Sequence, residues 1–157
     1  ELGKLTPSQE KLLREVMSDE FLHSMPASGI GEQVALAALD KVGCQYSQDL
    51  RYEEGYYDCS SLVQRLYAEF GINLPSVAST QGQYIVDNGL QVSENELRPG
   101  DLIFHSRDTN AGEFMSIGHV AIYVGNGMQV DARGTAYGVV YRPLVPSNIG
   151  LYGRPCR

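Results

Sequence analysis

The residue of this sequence best suited to nucleophilic chemistry is Cys59, which stands where an irregular stretch changes into a helical pattern. Asp58 is a candidate N-cap, and Gly71, followed by Pro75, is a candidate end of the helix. Apolar residues recur between them with the period of one helical face, at Leu62, Val63, Leu66, Tyr67 and Phe70. A cysteine in the first turn lies near unpaired N–H groups and the positive end of the helix dipole, which favour the reactive thiolate. From the helix start alone, a nucleophile and a small buried cysteine are equally good interpretations.

A cysteine nucleophile needs a base within hydrogen-bond reach, and the base needs a third group to orient it. His119 opens a strand-like segment, and Asp131 lies on the next one, across an Asn126-Gly127 pair that is a strong hairpin signal. Antiparallel pairing about this turn would place the two side chains on neighbouring strands. If the helix that carries Cys59 packs on this sheet, the thiol, imidazole and carboxylate converge.

These residues also have interpretations without catalysis. His119 could cap the end of a strand, and Asp131 could be a surface carboxylate near a turn. His105 follows another apolar strand and is a rival base, although we favour a surface histidine at a strand terminus. His23 lies near the C-terminus of a predicted helix, where a solvated cation suits the dipole.

The order of the predicted elements indicates an α+β domain, with helices first and strands afterwards. Helical patterns predict helices over residues 6–24, 28–42, 59–70 and 76–88. From residue 98 onward, apolar segments between turn residues predict strands at 102–104, 119–124, 128–132, 138–141 and 149–152. We therefore expect N-terminal helices packed on an antiparallel sheet of about five strands, and an exposed loop over residues 106–118.

Composition and charge exclude several classes of protein. A chain of 157 residues suits one domain with a sizeable core, and 43% hydrophobic with 20% charged residues is typical of a globular protein. The formal charge of −7 argues against a nucleic-acid partner, which needs a basic face. No apolar run is long enough to span a membrane. The chain starts at Glu1 without an initiator methionine or an apolar leader, which we interpret as a trimmed or mature start.

The cysteines and histidines do not indicate a disulfide scaffold or a metal site. Three cysteines are too few and too scattered for a scaffold, although Cys44 and Cys156 could pair with each other or remain reduced. The three histidines lack zinc-motif spacing to one another or to a cysteine. We expect no metal and no other cofactor.

Three segments in order carry a family resemblance: Asp-Cys-Ser-Ser-Leu-Val at 58–63, Arg-Pro-Gly-Asp-Leu-Ile-Phe at 98–104, and Gly-His-Val-Ala-Ile-Tyr-Val-Gly at 118–125. Their order and spacing resemble the NlpC-type cell-wall cysteine peptidases, over residues 28–157. The resemblance implies a papain-like core in that range. The helical pattern before it lies outside the resemblance, and we expect a helical extension over residues 1–27. It also implies a bacterial enzyme outside the cytoplasm that hydrolyses amide bonds in peptidoglycan stem peptides, often the bond from γ-D-glutamate to the diamino acid.

The resemblance assigns roles to individual residues. Cys59 falls on the family's nucleophile, His119 on its base and Asp131 on its third polar position. Tyr46 resembles a tyrosine that lines the site. Asp58 and Ser60 match residues that hold the free N-terminal L-alanine in members recognising that end.

The sequence departs from the family pattern at three places. The third position is commonly histidine, and Asp131 replaces it; a carboxylate can also orient an imidazole, so we expect activity to survive. After Tyr46, residues 47–49 replace the usual Trp-Gly-Gly-like run. Ser61 stands where glycine is common.

Two alternatives to a peptidase stay open. One is a catalytically idle wall-binding module with an inert Cys59, and the other is an acyltransferase on the same scaffold. For the peptidase, we expect a monomer whose partner is the stem peptide.

Overall fold

Residues 29–156 are described by the structure, which is a computed structural model. The helix predicted over residues 6–24, His23 and the predicted extension over residues 1–27 lie outside the described residues. The rest of the chain forms an α+β domain, as predicted.

Three α-helices lie within the described range and confirm the three helices predicted there. They are α1 (Gly29–Asp40), α2 (Cys59–Ala68) and α3 (Ala78–Asp87). Gly71 and Gly89 follow α2 and α3 with φ of 85° and 66°, the left-handed conformation expected of helix stops. No described helix is both long enough and apolar enough to cross a membrane.

The strands form two sheets. β1 (Gln45–Tyr46) and β2 (Tyr56–Tyr57) pair in parallel. The main sheet is antiparallel with the order β3-β8-β4-β5-β6-β7. Its members are β3 (Gln91–Val92), β4 (Leu102–Ser106), β5 (Ile117–Gly125), β6 (Met128–Gly134), β7 (Gly138–Pro143) and β8 (Ile149–Gly153).

This sheet has six strands rather than about five, because β3 adds an edge strand of only two residues, too short to show an alternating pattern. The predicted loop over residues 106–118 contains two single 3₁₀ turns, Asp108–Asn110 and Phe114–Ser116. His119 does not open its strand as predicted, since β5 already begins at Ile117.

The core lies between the helices and the main sheet. All three helices contact β5, and α2 also contacts β6. Val120, Ile122 and Val124 of β5 are completely buried together with Leu62 and Leu66 of α2. Strand alternation turns the three β5 side chains to one face, and burying each such side chain stabilises the fold by roughly 1.5–3 kcal/mol. This packing holds the start of α2 over the sheet.

The predicted hairpin joins β5 to β6. Asn126 and Gly127 both have positive φ, 54° and 73°, which is the geometry of the type I′ turn that this dipeptide favours. The strand of His119 therefore runs beside the strand of Asp131, as predicted.

Helix α1 approaches the turn before β4 through two glycines. Gly100 has φ 97°, and a Cβ atom there would lie 2.4 Å from the Cα of Gly31. The N–H of Gly100 donates to the carbonyl of Tyr123 at 2.7 Å, and the hydroxyl of Tyr67 donates to the carbonyl of Gly100. The glycine of the 98–104 segment is thus required by the close packing of α1.

Gly100→Ala should destabilise the fold more than Gly89→Ala. Both positions have positive φ, which costs alanine roughly 1–2 kcal/mol, but no atom lies within 4 Å of a Cβ at Gly89. We expect a loss of about 1 kcal/mol of unfolding free energy for Gly89→Ala and about 3 kcal/mol or more for Gly100→Ala. Urea denaturation measures both, and equal losses would contradict the close approach.

Candidate active site

The start of α2 is fixed by a capping box. Asp58 has extended backbone angles, and its Oδ1 accepts the N–H of Ser61 at 2.8 Å. In return, Oγ of Ser61 accepts the N–H of Asp58 at 2.9 Å. Ser61, a departure from the family pattern, thus completes the cap. Cys59 lies in the first turn, as predicted, where its N–H has no acceptor within the helix.

The β1-β2 ribbon places Tyr46 beside this helix start, because Tyr46 pairs with Tyr57, two residues before Cys59. Burial raises the pKa of the Tyr46 hydroxyl, and the negative charges of Cys59 and Asp58 raise it further. Tyr46 therefore stays protonated near the thiol, with a hydroxyl that can donate a hydrogen bond.

His119 and Asp131 form a buried pair. Nε2 of His119 lies 2.7 Å from Oδ2 of Asp131, and the two residues are 4% and 0% exposed. Arg142 holds the same carboxylate with two donors, Nε to Oδ1 at 3.1 Å and Nη2 to Oδ2 at 2.6 Å. Gln129 donates to Oδ1 at 3.1 Å. Burial alone would raise the pKa of Asp131, but the hydrogen bonds from His119 and Arg142 lower it well below its usual range.

Cys59 also interacts with the His119 imidazole. Burial lowers the pKa of His119, but hydrogen bonds with Asp131 and Cys59 outweigh it and raise the pKa to about 9. Since Nε2 is bound to Asp131, Nδ1 is the ring nitrogen left for the thiol. His119 is therefore an imidazolium at neutral pH, positioned beside the sulfur, a pairing that favours the thiolate.

Two of the alternative interpretations are wrong. Asp131 is not a surface carboxylate, because its side chain is completely buried. His105 is not a surface histidine: it is 6% exposed, and its ring lies opposite that of His119 with 5.8 Å between centroids. Nδ1 of His105 donates to the carbonyl of Ser147 at 3.0 Å, and burial lowers its pKa, so this ring is neutral at neutral pH.

Two arginines that the sequence does not indicate contact the polar groups of the site. Arg142 of β7 lies opposite Gln129 of β6. Gln129 and Asp131 are two residues apart and lie on the same face of β6, so the register of β6 and β7 decides whether Arg142 reaches Asp131. Arg51, in the loop between β1 and β2, forms an ion pair with Asp58, Nε to Oδ2 at 2.9 Å, and its Nη2 donates to Oγ of Ser60 at 2.9 Å. No local pattern in the sequence indicates either contact.

An open pocket of about 300 Å³ lies beside His119. It is lined by three guanidinium groups, those of Arg107, Arg133 and Arg142. A chain with a net charge of −7 therefore gathers arginines beside His119. Within residues 29–156, no three His, Cys, Asp or Glu side chains are grouped closely enough to hold a metal ion.

Comparison with known proteins agrees with this geometry. Residues 43–149 match the model of the NlpC/P60 family, which covers more than half of the chain. The chain belongs to the NlpC/P60 family. The match confirms the resemblance seen in the sequence, whereas the predicted domain boundary at residue 28 stays a prediction.

Individual NlpC/P60 proteins are similar over the same region. The probable endopeptidase p60 of Listeria seeligeri is 38% identical over 61% of this chain, and the gamma-D-glutamyl-L-lysine dipeptidyl-peptidase of Bacillus cereus is 33% identical over 56%. The chain spans only 16% and 24% of these two relatives. The structure of NlpC2 from Trichomonas vaginalis has a TM-score of 0.69 and 29% identity, covering 80% of this chain and 46% of that one. The predicted papain-like α+β fold of the NlpC type is thereby confirmed.

Asp131→Asn should lower the pKa of His119, because the amide keeps an oxygen acceptor but removes the charge that balances the imidazolium. NMR titration of the ring should show a pKa of about 9 in the unmodified protein and a clearly lower value in the variant, since only Cys59 then offsets the effect of burial. Asp108→Asn, which removes an exposed carboxylate, should leave the titration unchanged. An unaltered His119 in Asp131→Asn would contradict the assignment.

The same shift fixes the pH dependence of stability. The folded pKa of His119, about 9, lies above its unfolded value of 6.5. The contribution of His119 to the unfolding free energy is therefore complete below pH 6.5 and is lost as the pH rises through about 9.

Proposed function

We propose that this domain is a cysteine peptidase that hydrolyses an amide bond in peptidoglycan stem peptides. The observation that carries the proposal is the continuous series of contacts from Cys59 through His119 and Asp131 to Arg142. A thiol, an imidazole and a carboxylate connected in this order are the parts of a cysteine-peptidase triad.

In the first step, the Cys59 thiolate attacks the carbonyl carbon of the scissile amide. The carbonyl oxygen becomes an oxyanion that the N–H of Cys59 can stabilise, since that group has no acceptor within the helix and lies at the positive end of its dipole. The N–H of Ser61 is already held by Asp58 and is not available.

In the second step, His119 transfers a proton to the leaving amine, the C–N bond breaks, and a thioester with Cys59 remains. Neutral His119 then takes a proton from water, which attacks the thioester and releases the acid and the thiolate. Asp131 acts as a positioning residue throughout, since its hydrogen bond fixes the ring and its charge balances the imidazolium.

The substrate class is supported by relatives and by charge. One similar protein is named for the gamma-D-glutamyl-L-lysine linkage. The leaving half of such a stem peptide, which faces His119, ends in a carboxylate. The guanidinium groups of Arg107, Arg133 and Arg142 beside His119 suit an anionic substrate. We therefore assign the bond between γ-D-glutamate and the diamino acid, with Tyr46, Asp58 and Ser60 among the residues that contact the substrate.

The proposed substrate also implies a location. Peptidoglycan lies outside the cytoplasm of bacteria, so the domain acts there, as a monomer without a cofactor.

Digestion of purified peptidoglycan, followed by mass spectrometry of the muropeptides, tests the bond. We expect fragments ending in γ-D-glutamate from the unmodified protein and none from Cys59→Ala. Cleavage at another bond would overturn the assignment, and no cleavage would overturn the peptidase. Adding a primary amine distinguishes acyl transfer, which would yield an amide in place of the free acid.

His119→Ala should lose far more turnover than His105→Ala. General acid–base catalysis typically contributes on the order of a hundred- to ten-thousand-fold, and His119 alone of the two is bound to both Cys59 and Asp131. The measurement is kcat/KM on a stem peptide, with circular dichroism to verify that both variants are folded. Equal losses would mean that His105 shares the role of base.

A further inference from the structure

Arg51 occupies the space between the two polar residues that flank Cys59. Its Nε lies 2.9 Å from Oδ2 of Asp58, and its Nη2 donates to Oγ of Ser60 at 2.9 Å. The Arg51 side chain is only 17% exposed. A guanidinium, with its permanent positive charge, is therefore built into the wall of the site beside the nucleophile.

The guanidinium is held in place from several directions. Nη2 of Arg51 also donates to the carbonyl of Ser76, which follows α2. Nη1 of Arg65, on α2, donates to the carbonyl of Arg51 at 2.9 Å and to that of Tyr56 at 2.7 Å. Because both the backbone and the side chain of Arg51 are bonded to neighbouring elements, its position does not depend on a substrate.

Arg51 lies where the acyl half of a substrate must extend. In the mechanism proposed above, on which this inference rests, the leaving amine faces His119 in order to receive its proton. The acyl half, with the N-terminal end of the stem peptide, then lies on the other side of Cys59, over the start of α2. That is the side on which Arg51 contacts Asp58 and Ser60.

The contacts of Arg51 decide what this side can bind. Both carboxylate oxygens of Asp58 are already engaged, since Oδ1 accepts the N–H of Ser61 and Oδ2 forms an ion pair with Nε of Arg51. An ammonium group would thus meet a neutralised carboxylate and a fixed positive charge, and like charges in contact are strongly unfavourable. A neutral amide brings no charge, and its carbonyl can accept from Nη1 of Arg51, which has only a 3.3 Å contact with the hydroxyl of Tyr52.

We propose that Arg51 makes this domain select stem peptides whose N-terminal L-alanine is blocked as an amide over peptides with a free N-terminal ammonium group. In peptidoglycan, stem peptides still joined to the glycan have this amide. The domain therefore acts as an endopeptidase on the intact wall, in contrast to the dipeptidyl-peptidase among its relatives. This differs from the expectation that Asp58 and Ser60 hold a free N-terminus.

The test is the affinity of one peptide in two forms, L-Ala-γ-D-Glu-L-Lys-D-Ala and its N-acetyl derivative. Calorimetry on Cys59→Ala measures both without hydrolysis, so the result does not depend on whether the domain is a peptidase. We expect the acetylated peptide to bind about tenfold tighter or more at pH 6. The preference should shrink at pH 9, because the free amine loses its proton near pH 8.

Variants in the same Cys59→Ala background identify the cause. Arg51→Gln should bind the free-amine peptide more tightly, since it frees the Asp58 carboxylate for an ammonium group. Arg51→Lys, which keeps the charge, should retain the preference for the acetylated peptide. The double variant Arg51→Gln with Asp58→Asn should lose this gain in affinity for the free-amine peptide, because the carboxylate that would bind the ammonium group is removed.

Equal binding of the two peptides, tighter binding of the free-amine form, or no binding of either would overturn the proposal, as would an unchanged preference in Arg51→Gln. A failure of muropeptide digestion overturns the proposed peptidase instead, so the two failures are distinguishable.

Discussion

The site depends on one buried carboxylate, that of Asp131. A completely buried carboxyl group takes up a proton unless hydrogen bonds and opposite charges stabilise its ionised form. Asp131 has both, from His119 on one side and from the two donors of Arg142 on the other, with Gln129 completing the set. Ionised Asp131 in turn keeps the His119 imidazole charged and fixes which of its nitrogens faces Cys59.

This interaction sets requirements for the fold around it. His119, Asp131 and Arg142 come from β5, β6 and β7, so the three strands must pair in one register for the ion pairs to form. A slip of one residue would turn Asp131 to the opposite face of the sheet. The type I′ turn at Asn126 and Gly127 fixes the register between β5 and β6.

The second half of the site depends on a helix terminus. The capping box of Asp58 and Ser61 starts α2 at Cys59, and the packing of Leu62 and Leu66 against β5 holds that terminus near His119. Asp58 thus has two structural roles, as an N-cap and as the partner of Arg51. In an acidic chain, Arg51 pairs with Asp58 next to Cys59, and Arg107 and Arg133 line the pocket beside His119.

The sequence by itself determined the three described helices, the hairpin, the position of Cys59 at a helix start and the pairing of the two strands that carry His119 and Asp131. These follow from local signals: caps, glycine stops, hydrophobic periodicity and an Asn-Gly turn act over a few residues. Only the tertiary structure decided that Asp131 and His105 are buried, that Gln91–Val92 joins the sheet, and that Arg51 and Arg142 hold the polar groups of the site. Arg51 reaches Asp58 from a loop, and Arg142 reaches Asp131 across a strand pair. Their contacts are long-range, and a long, flexible arginine side chain has no periodicity or turn preference that indicates its partner.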